Sequence, residues 1–199
     1  MKKLQIGLWL LVAFAVGGFG FLYPSNNDAQ QSGENRQVAK LGGPFDLVNH
    51  RGEAISHDDL LGQNHAMFFG FTHCPDICPT TLLEAAGWLK ALDKDADKID
   101  MYFFTVDPER DTPEVLKDYV EAFDSRITAI TGNPQKVSET IRSYKVYTKR
   151  VDLDDDDYTV DHSAFVLLFN KTGEFKGTIS YGENTDTALA KLRKLIENG

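Results

Sequence analysis

The chain has 199 residues, with 21 basic against 30 acidic side chains, a net charge of −9 and two cysteines. That length provides one core of ordinary size, and an acidic body is repelled by nucleic acid and by anionic lipid headgroups. A basic partner protein suits the charge, although surface acidity also serves solubility alone.

Met1-Lys2-Lys3 precedes Leu4 to Tyr23, twenty residues without a charge. About 20 apolar residues cross a bilayer as a helix. A signal peptide has a shorter apolar centre and a small-x-small cleavage site, of which Gly17-Gly18-Phe19-Gly20 is a weak version. Residues 1–24 therefore read as an uncleaved transmembrane anchor, with Lys2 and Lys3 on the cytoplasmic side. No Arg-rich, Ser-rich organellar presequence stands before it, so the expected place is a bacterial inner membrane with the rest of the chain on the periplasmic or outer side. Residues 25–40, rich in Ser, Asn, Asp, Gln and Gly, read as a flexible tether.

Residues 41–199 read as one domain. Residues 45–49 and 53–55 flank His50-Arg51-Gly52 as a hairpin, and Ser56 is placed to cap a short helical turn through Leu61. Residues 65–71 form an apolar, aromatic-rich run of buried-strand length. Leu82, Ala85, Ala86, Leu89 and Leu92 lie near helical spacing, so a helix follows. Residues 99–106 read as a second buried strand. Thr112 and Pro113 open a helix to about Phe123, residues 127–130 read as a strand, and Asn133-Pro134 opens a helix to about Tyr144. Residues 164–169 and 175–179 form a hairpin about Asn170-Lys171-Thr172-Gly173, and Thr185 caps a closing helix to Asn198. Strands alternating with helices, then a hairpin and a helix, fit an α/β fold of three layers, thioredoxin-like.

Both cysteines fall between the first buried strand and its helix, in Gly70-Phe71-Thr72-His73-Cys74-Pro75-Asp76-Ile77-Cys78-Pro79. Pro79 suits the first helical position and pushes Cys78 out of the helical region, which leaves both thiols on a turn at a helix N-terminus. Partial positive charge there favours thiolate and lowers a cysteine pKa. Such a pair can close a disulfide, run thiol exchange or chelate a soft metal. A purely structural disulfide is a poor reading, because so short a loop constrains little of the unfolded chain.

The cysteine run, followed by Thr105-Val106-Asp107-Pro108-Glu109-Arg110-Asp111-Thr112 and then by Val160-Asp161-His162-Ser163, resembles the Sco/SenC family of membrane-anchored copper proteins. The resemblance covers roughly residues 41–199. It implies a thioredoxin-like fold that holds copper through Cys74, Cys78 and His162 and serves assembly of cytochrome c oxidase, whose copper-site subunit is then the expected partner. Two thiolates and an imidazole suit Cu(I), and the imidazole also admits Cu(II). Structural zinc wants a fourth protein ligand. With three methionines in all and no His-rich tract, bulk copper storage is not indicated.

The competing reading is a thiol-disulfide reductase, with Cys74 attacking and Cys78 resolving, or a copper or redox sensor using the same residues. The spacing is one residue longer than the thioredoxin Cys-x-x-Cys, and no proline precedes the strand at Ala164. His73 reads as orienting a neighbour rather than as a ligand, the role of Asp76 stays open, and His50, His57 and His65 read as surface. Asp152-Leu153-Asp154-Asp155-Asp156-Asp157 lacks the Gly and Glu of a calcium loop and reads as a solvated loop. Asp107 to Asp111 reads as a capping and salt-bridge turn near the site. A monomer is expected.

Overall fold

The structure is a computed structural model, which describes residues 41–154 and 157–199. The expected anchor and tether lie outside the described residues, and among the described residues no helix is long and apolar enough to cross a membrane. The chain builds a seven-stranded mixed sheet, with a separate two-stranded ribbon. The sheet strands are β1 (Asp46–Asn49), β2 (Ala54–Ser56), β3 (Asn64–Gly70), β4 (Ile99–Thr105), β5 (Ile127–Thr131), β8 (Phe165–Phe169) and β9 (Phe175–Ser180). They lie in the order β2-β1-β5-β4-β3-β8-β9, with β3, β4 and β5 parallel and the others joining antiparallel. The ribbon is β6 (Thr148–Asp152) with β7 (Tyr158–His162).

All seven residues of β3 are buried, as a strand covered on both faces must be. Its side chains alternate between those faces. Phe69 and the neighbouring Phe104 of β4 turn toward Tyr144, at the end of α3 (Pro134–Ser143). Phe68 and Phe103 turn the other way, where Phe103 meets Tyr119 of α2 (Pro113–Glu121). On that second side Gly70 lies beneath α1 (Ile77–Leu92), which packs against α4 (Thr185–Asn198). Helices thus cover both faces of a mixed sheet, a thioredoxin-like arrangement.

Helix starts follow local chemistry. The Thr112 hydroxyl accepts from the Val115 amide at 3.4 Å, with Pro113 next, and the Asn133 side chain accepts from the amides of Gln135 and Lys136 ahead of α3. Two expected caps are different. Asn184, not Thr185, caps α4, accepting from the amides of Asp186 and Thr187, because its amide oxygen reaches both orphan donors. Ser56 does not accept at a helix start: its amide and hydroxyl both donate to Asp59 at 2.7 Å, ahead of a three-residue 3-10 turn at Asp58–Leu60.

Two histidines expected at the surface are interior. His50 accepts from the Ala129 amide at 3.0 Å and is buried, because the first hairpin folds onto β5. His65 is only 1 % exposed, stacked on Phe169 at 5.2 Å. Burial drives its pKa from 6.5 to about 4. Above pH 6.5 the ring is neutral folded or unfolded; below it the unfolded chain takes a proton that the folded chain refuses. Stability should therefore fall as pH drops from 6.5 to 4, by about 3 kcal/mol from this residue alone. Urea unfolding across that range should show the loss in the parent chain and a correspondingly flatter profile in His65→Phe.

Candidate metal centre

The Cys74 turn is set by the Cys74 amide donating to the Phe71 carbonyl at 3.2 Å. Helix α1 then begins at Ile77, two residues earlier than expected, with Cys78 inside its first turn and Pro79 third. Proline is tolerated there because the first helical amides have no intrahelical acceptor to lose. Helical backbone at Cys78 aims its side chain down at the sheet, where it is fully buried, while Cys74 stays half-buried on the turn above. Gly70 makes this approach possible: a Cβ there would lie 2.8 Å from Cys78 Sγ and 2.8 Å from the Phe103 ring. An isolated glycine within a strand run is the sequence signal of such an approach.

His162 arrives from the other end of the domain. It ends β7, opposite Thr148 of β6, so the imidazole is carried by the ribbon, three residues ahead of the sheet strand β8. Phe68 and Phe71 meet its ring edge-on at 6.1 and 5.9 Å. Nδ1 lies 3.0 Å from the Ser163 carbonyl, which can only accept, so Nδ1 donates there and Nε2 is the ring nitrogen that faces the thiols. Nε2 is 3.4 Å from Cys78 Sγ, and the candidate donor atoms of Cys74, Cys78 and His162 all lie within 4.8 Å of one another.

The two thiols are inequivalent. Cys74 is lowered to about 3, first because the Cys78 thiol donates to it, with His162 and the Cys78 and Asp76 amides adding to the effect against burial. The Cys78 amide reaches Cys74 Sγ at 3.4 Å. Cys78 is pushed up, because its proton serves the Cys74 thiolate and because it is buried. The resting pair is therefore one thiolate and one thiol. Iodoacetamide at pH 5.5 should modify Cys74 selectively, with Cys78 reacting only after denaturation; peptide mass mapping reads the ratio, and equal labelling would contradict the assignment.

Behind the thiols sits Asp111, buried and not foreseen in this role. Its carboxylate accepts from the Thr72 hydroxyl and the Thr105 hydroxyl, each at 2.6 Å, and from the Thr72 amide at 3.2 Å. Burial raises its pKa against the pull of these bonds. Since the Thr72 proton is committed to Asp111, the Thr72 oxygen receives the Nδ1 proton of His73 at 3.1 Å. His73 is thus oriented and exposed, and it does not join the donor cluster. Asp76 is exposed, and its carboxylate accepts a 3.4 Å bond from the Thr80 hydroxyl. The expected salt-bridge turn is present, with Arg110 paired to buried Asp107.

Two sulfurs and one imidazole nitrogen form a soft donor set that fits Cu(I), and among the described residues no fourth ligand joins it. A disulfide across the cysteines needs no fourth residue either, so the thiols also fit exchange chemistry. Fold and site together define a thioredoxin-like domain with a helix-capping Cys-x-x-x-Cys and a distant imidazole turned onto it. The chain belongs to the SCO1/SenC family, whose model matches residues 33–197.

A SCO2-like protein of Rickettsia prowazekii is 42% identical over 138 residues, covering 68% of this chain and 67% of that protein. The mitochondrial SCO2 protein of Saccharomyces cerevisiae is 39% identical over 160 residues, covering 79% of this chain; the chain spans 53% of that relative's length. Among solved structures, copper-bound ScoI of Bradyrhizobium japonicum superposes with a TM-score of 0.74 at 41% identity, over 78% of this chain and 99% of that one.

Proposed function

We propose that this chain is a membrane-tethered copper carrier that holds one copper ion between Cys74, Cys78 and His162 and passes it to the dinuclear copper centre of cytochrome c oxidase. The observation that carries the reading is the convergence of three donor atoms from two distant parts of the chain within 4.8 Å of one another. Membership of the SCO1/SenC family and the copper in the Bradyrhizobium relative support the cargo, and the recipient is the one the family resemblance implies. Cu(I) loading displaces the proton of Cys78, since Cys74 is already thiolate, and takes up Nε2, the ring nitrogen that the Ser163 bond leaves facing the thiols. Half-exposed Cys74 is the ligand an incoming donor reaches first, so ligand exchange with a recipient begins there.

The apolar run over residues 4–23, with Lys2 and Lys3 before it, supports an anchor in a bacterial inner membrane and a domain on the outer side. A second reading, reduction of a partner's disulfide, is favoured by the reactive Cys74 thiolate with Cys78 behind it. Transfer separates the two. The full chain loaded with one Cu(I) should metallate a reduced recipient domain carrying a dinuclear copper site. If instead the loaded chain keeps its copper, and the copper-free chain reduces the disulfide of the oxidised recipient as Cys74 and Cys78 become a disulfide in turn, the chain is a reductase.

A further inference from the structure

The ribbon that carries His162 is held to the body by a polar latch at its other end. Tyr158, four residues before His162 on β7, donates its hydroxyl to Asp107 Oδ1 at 2.8 Å. Its ring lies between two guanidinium groups, Arg110 at 3.7 Å and Arg150 at 3.5 Å. Arg110 also pairs with Asp107 and donates to the Tyr158 carbonyl at 3.0 Å. Asp107 is 4 % exposed and follows β4, so the latch is anchored in the body of the domain. Its amide donates to Thr105, the same hydroxyl that donates to Asp111 behind the thiols.

Packing beneath the ribbon is incomplete: Val160 is buried in the core, but a cavity of about 230 Å³ is lined by Thr148, Tyr158 and Val160 of the ribbon together with Val106, Val137 and Ile141 of the body. The other ion pairs between ribbon and body, Arg110 with Asp157 at 3.1 Å and Arg150 with Glu109 at 3.5 Å, are exposed. At the imidazole end the Ser163 amide donates to the Tyr147 carbonyl at 3.1 Å and the Ser163 hydroxyl accepts from the Tyr147 amide at 3.1 Å, which ties the two strands to each other where the chain enters and leaves the ribbon. A two-stranded ribbon is marginal without support on a face, so its angle over the sheet depends on what pins its two ends.

We infer that Tyr158, with Asp107 and Arg110, is the positioning device of the copper site: it fixes the ribbon so that His162 Nε2 stays within reach of the thiols. Tyr158 touches neither copper nor sulfur and acts only through His162. The inference rests on His162 ligation as proposed above.

The test is a double-mutant cycle in the full chain, with Cu(I) affinity read by competition against a chromophoric chelator. Tyr158→Phe keeps the ring between the arginines and removes only the bond to the Asp107 carboxylate. It should weaken Cu(I) binding by about tenfold, the scale of one hydrogen bond to a charged acceptor. In a His162→Ala background the same change should cost less than about twofold, because its effect is routed through the missing ring. The rate of Cys74 alkylation should not change in either background. Equal losses in both backgrounds would overturn the inference, as would no loss in the parent. If His162→Ala alone leaves affinity unaltered, the ligand assignment beneath it has failed instead. Tyr158→Ala, which also removes both cation-π contacts, should exceed Tyr158→Phe; a weaker effect would likewise count against the latch.

Discussion

His162→Ala is expected to lower the affinity of the reduced chain for Cu(I) by more than about a hundredfold while leaving its thiols able to exchange. Losing the partner behind a metal-bound histidine already costs about 10- to 100-fold, and here the ligand itself is removed. The ring is not part of the central sheet: it is half-buried at the end of a ribbon, so its loss should leave the fold intact. Cys74 would keep the Cys78 thiol and amide bonds that hold it low, although it would lose the smaller contribution from His162. Chelator competition gives the affinity, and disulfide exchange with a small disulfide gives the thiol activity. A variant that binds copper as the parent does would remove histidine ligation. A variant that loses exchange as well would show that the imbalance between the thiols depends on the imidazole.

Asp111→Ala should be the most destabilising single change in the neighbourhood of the site, costing about 3–5 kcal/mol. Three donors converge on this carboxylate, and two come from the Thr72 segment that leads into the Cys74 turn. Removing the acceptor leaves buried donors unpaired, which costs more than the bonds contributed. Asp111→Asn should recover little, since its amide nitrogen meets donors. Urea unfolding measures the effect, and a midpoint within error of the parent would contradict the role given to Asp111.

The alternation of apolar runs with capped helices made the main sheet legible, because a buried strand such as β3 must be apolar on both faces and cannot hide. Pro113 after Thr112 and Pro134 after Asn133 marked helix starts for the same reason: each pairs a side-chain acceptor with a residue lacking an amide hydrogen. The ribbon was illegible. Its strands are short and carry charges at exposed positions, with Lys149 opposite Asp161 and Arg150 opposite Val160, and the aspartate run between them reads in the sequence as any solvated loop does. His162 was therefore recognisable from its motif while its carrier was not.

His65 and His50 show another limit. A histidine at a strand start, like His65, or in the turn after a strand, like His50, has the same local pattern whether it meets water or a neighbouring strand, and only the pairing of β3 with β8 and of β1 with β5 decides. Asp111 is similar. In the sequence it is one acid in a charged turn, and its burial follows from β4 and the Cys74 turn closing over it.

X-ray absorption at the copper edge of the full chain, reduced and loaded with one Cu(I), tests the three-donor site most directly. Two sulfur scatterers and one imidazole nitrogen per copper are predicted, with the imidazole contribution absent in His162→Ala. A sulfur-only shell in the parent, or an imidazole signal that survives in that variant, would contradict it.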